Sequence, residues 1–376
     1  MLSCIIEDEN QIEKSKFIRG NTMKKFGKVL FKILKWIFII LVCIIVLFLI
    51  VRFIGQRIYS STPEGGINEE MYVDINGTKQ WISIYGQDKD NPILLYLHGG
   101  PGSSTSLYDY AFTRKWSDAY TVVTWDQRNC GKSCSSEQND TALTYDLMMS
   151  DGVEMTKYLL DYLGKDKITL LGHSWGTYFG CNLVLEYPEY YECYIGTGQL
   201  VDFYQNELAF KEEAVKWVEN DEEGKQLIEK LTVGDFTMEY YTARNAMMER
   251  YGYDMMVDGT DYNLMAAVVF NPYYSLGDLY NNITSDYSVY SEFLDSKEFE
   301  KFSLLGKTDY KVPFYNINGD RDYQTNFSLA QKYFDEVNAP YKQMFIMKDT
   351  THGLLESKSE EFSDILGTVE KLSLKV

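Results

Sequence analysis

The residues with the clearest chemistry lie in the pentapeptide Gly172-His173-Ser174-Trp175-Gly176, which has the pattern G-x-S-x-G. A short apolar segment, 168–171, precedes it and a helical pattern, 177–187, follows it. This order predicts a strand, a sharp turn and a helix, with the serine exposed at the tip of the turn as a nucleophile. Because the same pattern also occurs in ordinary turns, further residues are needed to support catalysis.

A serine hydroxyl is a weak nucleophile, so it needs an imidazole to take its proton and a carboxylate to orient that imidazole. His352 follows the last predicted strand, and Asp322 follows the strand before it. The order Ser174, Asp322, His352 is that of the catalytic triad in α/β hydrolases. Asp320 is an alternative acid, but the spacing G-x-x-D after this strand favours Asp322.

Two further histidines, His98 and His173, are poorer candidates for the base. His173 is adjacent to the serine on the turn, so its side chain points elsewhere. His98 lies in the glycine-rich loop His98-Gly99-Gly100-Pro101-Gly102, where a structural role is expected. The backbone N–H groups of Gly100 and Trp175 are predicted to form the oxyanion hole.

Strand-like and helical segments alternate through most of the chain. A hairpin is predicted around Asn76-Gly77, a strong signal for a two-residue turn. Later strand-like segments are 93–97, 121–125, 168–171, 194–196, 312–317 and 343–347. This rhythm predicts a mostly parallel sheet with helices on both faces, the α/β-hydrolase fold.

Residues 201–308 interrupt the alternation, because helical patterns dominate there and aromatic residues are dense. We expect an inserted helical cap over the carboxyl edge of the sheet. The hydrolase core is then divided into a first part, 68–200, and a second part, 309–376.

The N-terminal part differs in charge and in hydropathy from the rest. Residues 1–35 hold eight Lys/Arg and four Asp/Glu, whereas residues 55–376 hold 27 Lys/Arg and 51 Asp/Glu. Sixteen residues without charge, Trp36 to Val51, form the centre of a predicted transmembrane anchor, 33–54. A buried core helix would carry a polar stripe, and a cleaved signal peptide would end in a small-residue site; neither is evident.

Residues 1–32 are then a tail, polar and expected to be disordered over 1–22, and residues 55–67 are a linker. Met23-Lys24-Lys25 also resembles a natural start. Five lysines precede the apolar segment, at positions 24, 25, 28, 32 and 35. The positive-inside rule therefore predicts a single-pass protein of the cell membrane with its N-terminus in the cytoplasm and its catalytic part outside.

Three ordered motifs together resemble the signature set of the proline iminopeptidase family of serine peptidases. They are His98-Gly99-Gly100-Pro101-Gly102, Asp126-Gln127-Arg128-x-x-Gly131-x-Ser133 and Gly172-x-Ser174-Trp175-Gly176. The resemblance covers about residues 68–372 and is weaker across the cap. It implies an α/β-hydrolase fold with a cap, release of an N-terminal residue, often proline, from a peptide, and no metal or other cofactor.

The chain departs from the family pattern at two kinds of position. Asn129 stands where the family usually has glycine. Family members read the free amine of the substrate with acidic side chains, largely from the cap, but Asn271-Pro272-Tyr273-Tyr274 carries no carboxylate, and Tyr323 follows Asp322. Possible substitutes are Glu207, Glu212, Glu213 and Glu239, for each of which a solvated helix face is the competing interpretation.

Three functions therefore remain open. The first is a membrane-anchored aminopeptidase, the second an esterase or amidase on the same scaffold, and the third a catalytically inactive binding protein. The expected partners are a small peptide, ester or amide substrate and the lipid bilayer. The net charge of −19 argues against nucleic acid. Cys130-x-x-x-Cys134 has no matching ligand pair for zinc, and the cysteines are expected to be mostly unpaired.

Overall fold

The computed structural model describes residues 2–134, 142–285 and 288–375. The chain separates into two compact units, 1–59 and 60–376. The first unit is one long helix, α1 (Leu2–Tyr59). An 18-residue stretch within its segment Leu30–Tyr59 has a mean hydropathy of 3.4, and the segment is long and apolar enough to cross a membrane, although a signal sequence shares these properties.

The expectation of disorder over residues 1–22 is wrong, because α1 begins at Leu2. This stretch contains no proline, and Glu, Lys, Gln and Ile occupy ten of its 22 positions. Such residues cost little in a helix, so nothing stops the apolar helix from continuing toward the N-terminus.

The second unit is built on an eight-stranded sheet with the order β1-β2-β4-β3-β5-β6-β7-β8. The first two strands and the β2–β4 pair are antiparallel, and all later pairs are parallel. The strands are β1 (Ile67–Ile75), β2 (Thr78–Gly86), β3 (Ile93–Leu97), β4 (Thr121–Trp125), β5 (Ile168–His173), β6 (Tyr191–Thr197), β7 (Phe314–Gly319) and β8 (Lys342–Met347). The predicted hairpin is confirmed, with positive φ at both Asn76 and Gly77.

Helices cover both faces of this sheet, as the alternation of segments predicts. Leu95 and Leu97 of β3 belong to one buried apolar cluster, while Leu94 and Tyr96 belong to another on the opposite face. Among the described residues of the second unit, the α-helices outside the region 201–308 are α2 (Tyr110–Thr113), α3 (Tyr145–Leu163), α4 (Trp175–Glu186), α11 (Phe327–Glu336), α12 (Leu354–Ser357) and α13 (Ser359–Ser373). The α/β-hydrolase fold predicted from the sequence is therefore confirmed.

Between β6 and β7, the part of the chain that the structure describes forms six α-helices. They are α5 (Phe203–Trp217), α6 (Glu222–Lys230), α7 (Met238–Tyr251), α8 (Leu264–Phe270), α9 (Leu276–Thr284) and α10 (Ser288–Asp295). The first three share a small apolar cluster of their own, which includes Phe210, Tyr240 and Met247. This segment has the helical content expected of a cap, whose limits of 201 and 308 stay a prediction.

Candidate active site

Ser174 stands on a sharp turn between β5 and α4, with φ 55° and ψ −121°. A Cβ atom on Gly172 would lie 2.3 Å from the carbonyl oxygen of Gly176, and one on Gly176 would lie 2.2 Å from that of Leu97. Glycine is therefore required at both positions for the strand and the helix to approach. The predicted strand, turn and helix are confirmed, and the turn is the strained elbow on which hydrolase nucleophiles stand.

His352 and Asp322 form a buried pair. The His352 Nδ1 and Asp322 Oδ2 atoms are 2.7 Å apart, and both side chains are at most 3% exposed. Asp322 Oδ1 accepts the N–H groups of Gln324 and Thr325 at 2.9 and 3.0 Å, and the Thr325 hydroxyl donates to Oδ2 at 3.0 Å. These donors fix the orientation of the carboxylate, which in turn fixes the imidazole.

Asp320, the alternative acid, lies elsewhere. Its carboxylate accepts the N–H of Asp349 at 2.7 Å and is 3.3 Å from the Lys348 ammonium. The chain thus brings Asp322 to His352 and holds Asp320 at the surface.

Ser174 and His352 border the same cavity, of about 430 Å³. A neighbouring cavity of about 500 Å³ is lined by Ser174 together with Gly100 and Trp175, the two residues predicted to supply the oxyanion hole. Gly100 has φ 121°, which favours glycine, and Trp175 is the first residue of α4, where backbone N–H groups have no partner within the helix. All five predicted site residues therefore converge on one place.

The other two histidines, His98 and His173, are buried in the core. His98 Nδ1–H donates to the carbonyl of Gly99 at 2.8 Å, and Nε2 accepts the N–H of Gln127 at 3.3 Å. Burial lowers the pKa of His98 to about 4. Burial also lowers the pKa of His173, as does the neighbouring His352, whose ring centroid is 4.7 Å away. Both imidazoles are therefore neutral near pH 7.

Asn129, where the family has glycine, has φ 60°. This left-handed conformation favours glycine, but asparagine adopts it more readily than most other residues. The departure from the family pattern therefore preserves the backbone of the loop after β4.

The cap carboxylates named from the sequence have different surroundings. Glu212 and Glu239 are exposed, and Glu213 pairs with Lys216. Glu207 alone among these four lines a cavity, and it is buried. Its Oε2 accepts from Arg244 Nε at 2.7 Å and from the Tyr240 hydroxyl at 2.6 Å.

Sequence reasoning missed two charged residues at the cavities, Arg244 and Asp254. Arg244 pairs with Glu207, and its two terminal nitrogens reach the Gln324 side chain and backbone at 2.7 and 3.0 Å. Asp254 lines the 430 Å³ cavity with Ser174 and His352, and its Oδ1 accepts the N–H of Met256 at 3.0 Å. No sequence motif marks either residue.

Within residues 2–134, 142–285 and 288–375, no group of three His, Cys, Asp or Glu side chains could hold a metal ion. Cys130, Cys181 and Cys193 are buried thiols. Cys130 Sγ lies 3.3 Å from His98 Nε2, inside the core rather than in a cavity.

Comparison with known proteins agrees with this geometry. The family described as alpha/beta hydrolase fold matches residues 92–264. The probable aminopeptidase YbaC of Bacillus subtilis is 27% identical over 295 residues, which cover 74% of this chain and 89% of that protein. The proline iminopeptidase of Clostridioides difficile is 30% identical over 186 residues, which cover 48% of this chain and 60% of that protein.

A solved structure, the proline iminopeptidase of Mycobacterium smegmatis, superposes with a TM-score of 0.60 at 18% identity. The superposition covers 81% of this chain and 98% of that one. The fold is therefore shared across the length of an iminopeptidase, although the sequence similarity is shorter.

Proposed function

We propose that this chain, an α/β hydrolase with relatives named as aminopeptidases, is a membrane-anchored serine aminopeptidase of the proline iminopeptidase type. The observation that carries the proposal is the buried His352–Asp322 pair at 2.7 Å beside the Ser174 elbow. A nucleophile, a base and an orienting acid around one cavity are the parts that acyl transfer requires.

In this mechanism His352 takes the proton of the Ser174 hydroxyl as its oxygen attacks the substrate carbonyl. Asp322 holds the imidazole in one tautomer and stabilises its cation. The N–H groups of Gly100 and Trp175 stabilise the oxyanion, and His352 then protonates the leaving amine. Water repeats the sequence on the acyl-enzyme and releases the N-terminal residue.

An aminopeptidase must also recognise the free amine of its substrate. Two acidic side chains line the cavities, Glu207 and Asp254. The charge of Glu207 is compensated by Arg244, so it offers little attraction for a further cation. We therefore assign amine recognition to Asp254, which shares its cavity with the nucleophile and the base.

A second candidate, an esterase or amidase that selects an acyl group, is favoured by the other cavity. Its lining is largely apolar, with Phe203, Met238, Tyr241, Leu294 and Phe299 among the contributors. A neutral acyl chain fits such a lining, particularly because Glu207 and Arg244 neutralise each other there.

Membrane anchoring by α1 is part of the proposal. Only 6% of the most apolar 18-residue stretch within Leu30–Tyr59 is buried, so packing within the chain does not account for its composition. Because lysines precede it, we propose that the N-terminus lies in the cytoplasm and the catalytic part outside the cell membrane.

The test compares hydrolysis by the full chain in detergent of three substrate types. They are proline and alanine arylamides, the same amides with a blocked amine, and short-chain nitrophenyl esters, with Ser174→Ala as the blank. We expect cleavage of the unblocked amides, loss of nearly all activity in the blank, and no cleavage of the blocked amides. Cleavage of esters alone would establish the second candidate.

Asp254→Asn sharpens the assignment of the amine site. We expect KM for unblocked amides to rise by about 10-fold or more, since one charge-assisted hydrogen bond is removed, with little change for esters. Glu239→Gln is the matched control, because Glu239 is exposed and does not line either cavity. An equal loss on esters and amides would show that Asp254 only supports the fold.

A further inference from the structure

Helix α9 has its apolar side toward solvent. Leu276, Tyr280 and Ile283 are 50, 68 and 82% exposed, and their spacing of four and three residues places them on one face. Its less exposed residues are Asp278, Leu279 and Asn282, so Leu279 is the one large apolar residue of α9 that packs inward. A surface helix of a soluble protein shows the reverse arrangement, with polar residues outward.

Helix α8 extends this apolar surface. All seven residues, Leu264–Phe270, are apolar, only Ala267 is buried, and Met265 is 71% exposed. Residues 264–284 contain no Glu, Lys or Arg, and Asp278 is their only aspartate. Its carboxylate is used in the cap of α9, where it accepts the N–H of Ser275 at 2.8 Å.

This surface is tied to the place where the chain leaves α1. The hydroxyl of Tyr273, three residues before α9, donates to Asn68 Oδ1 at 2.9 Å. The Asn68 side chain in turn donates from Nδ2 to the carbonyl of Ser61 at 3.0 Å. Ser61 is two residues beyond the end of α1 at Tyr59, which is about 7 Å of extended chain at most.

The short segment between α1 and Ser61 limits how far the exposed face of α8 and α9 can be from a membrane that α1 spans. From Ile54, the end of the predicted span, five helical residues reach Tyr59 and add about 8 Å. Together with the two extended residues, they keep Ser61 within about 15 Å of the bilayer surface along the chain. The two hydrogen bonds through Asn68 then join Ser61 to Tyr273, three residues before α9. An exposed apolar surface held this close to a bilayer can contact the lipid.

We propose that the exposed face of α8 and α9 rests on the outer leaflet of the membrane in which α1 is anchored; this rests on the anchoring proposed above. Tyr280 and the leucine and isoleucine beside it are the residue types that bury at a membrane interface. No lysine or arginine accompanies them between 264 and 284, so the surface fits headgroups without net charge rather than anionic ones.

The experiment places an environment-sensitive NBD fluorophore at single cysteines of the full chain in phosphatidylcholine nanodiscs. Cys4, Cys43 and Cys134 are first replaced by serine, and Ile283→Cys is then introduced. We expect blue-shifted emission that nitroxide-labelled lipids largely quench. Ile283 is 82% exposed, so its replacement leaves the packing of the helix unchanged.

Two controls separate this proposal from the anchor. Native Cys43, exposed on α1, is retained alone as the probe of membrane insertion. Lys332→Cys on α11 is the matched exposed site, since α11 lies near β7 and β8, about 30 Å across the sheet from β1. We expect Lys332→Cys to give emission typical of water without lipid quenching.

Each outcome decides the question. A label at position 283 that behaves like the label at 332, while the label on Cys43 is inserted, overturns the membrane contact and leaves the anchor intact. A water-exposed label on Cys43 overturns the anchor and this proposal with it. Shielding at 283 that depends on protein concentration in detergent, and not on lipid, would assign the surface to a second copy of the chain.

Discussion

Asp322 and Glu207 are both buried carboxylates beside the cavities that Ser174 lines, and they differ in the side chain that each one holds. Asp322 accepts from an imidazole, a group that can take up a proton and pass it on during catalysis. Glu207 accepts from the guanidinium of Arg244, which has only hydrogen-bond donors and cannot act as a proton acceptor. The partner therefore decides whether a buried carboxylate can assist a proton transfer or can only organise its surroundings.

The largest expected effect is on catalysis through Asp322. Asp322→Asn keeps the size of the side chain but presents the wrong hydrogen-bonding partner to His352, so kcat should fall by about 10⁴-fold. The measurement is kcat for the best substrate of the panel above, with thermal unfolding to show that the fold is intact. Asp320→Asn is the matched control and should change kcat little, since Asp320 contacts Asp349 and Lys348 rather than His352. Equal losses in the two variants would contradict the assignment.

The next effect is on stability through Arg244. Arg244→Met leaves the carboxylate of Glu207 buried without its cation, and the free energy of unfolding should fall by about 3–5 kcal/mol. Adding Glu207→Gln removes the unpaired charge and should recover a large part of that loss. Denaturant unfolding of the single and double variants measures both numbers. If Arg244→Met lowered kcat about as strongly as Asp322→Asn while leaving stability unchanged, the two carboxylates would not differ as argued.

The same contrast explains what the sequence could predict. Ser174, Asp322 and His352 each follow a strand directly, and strands that end at one edge of a parallel sheet bring their loops together. Asn76-Gly77 and the glycines of the elbow act through local backbone conformation, which residue type determines. The core, the elbow and the positions of the triad candidates could therefore be predicted before the fold was described.

The interior of the cap could not be predicted in this way. Glu207 and Arg244 are 37 residues apart on different helices, and neither belongs to a motif. Their pairing depends on how α5 and α7 pack, which helical periodicity leaves open. Likewise, the exposed side of α9 is apolar. Its sequence alone would therefore predict that this side is buried.

Glu356 extends the comparison to a buried carboxyl that lacks any cation. It is 1% exposed, and neither side-chain oxygen has a hydrogen-bond partner among the described residues. Burial raises its pKa to about 7, against smaller opposing effects of its own backbone N–H and of His352. The folded protein therefore holds this proton more tightly than the unfolded chain, whose carboxyl titrates near the ordinary value of 4.5.

The smallest predicted effect follows from that difference. The stabilisation from protonated Glu356 is complete below about pH 4.5 and is lost as pH rises through about 7, a change of up to about 3 kcal/mol. Glu356→Gln is neutral at every pH, so it should match the unsubstituted chain near pH 4.5 and exceed its Tm at pH 8. Thermal unfolding across this range measures the difference, and Glu361→Gln, on the surface of α13, is the matched control. Asp109, whose pKa burial raises to about 8, contributes equally to both curves and cancels in the comparison. Parallel curves for Glu356→Gln and the unsubstituted chain would mean that this carboxyl has a partner in solution, and that burial alone does not set its proton affinity.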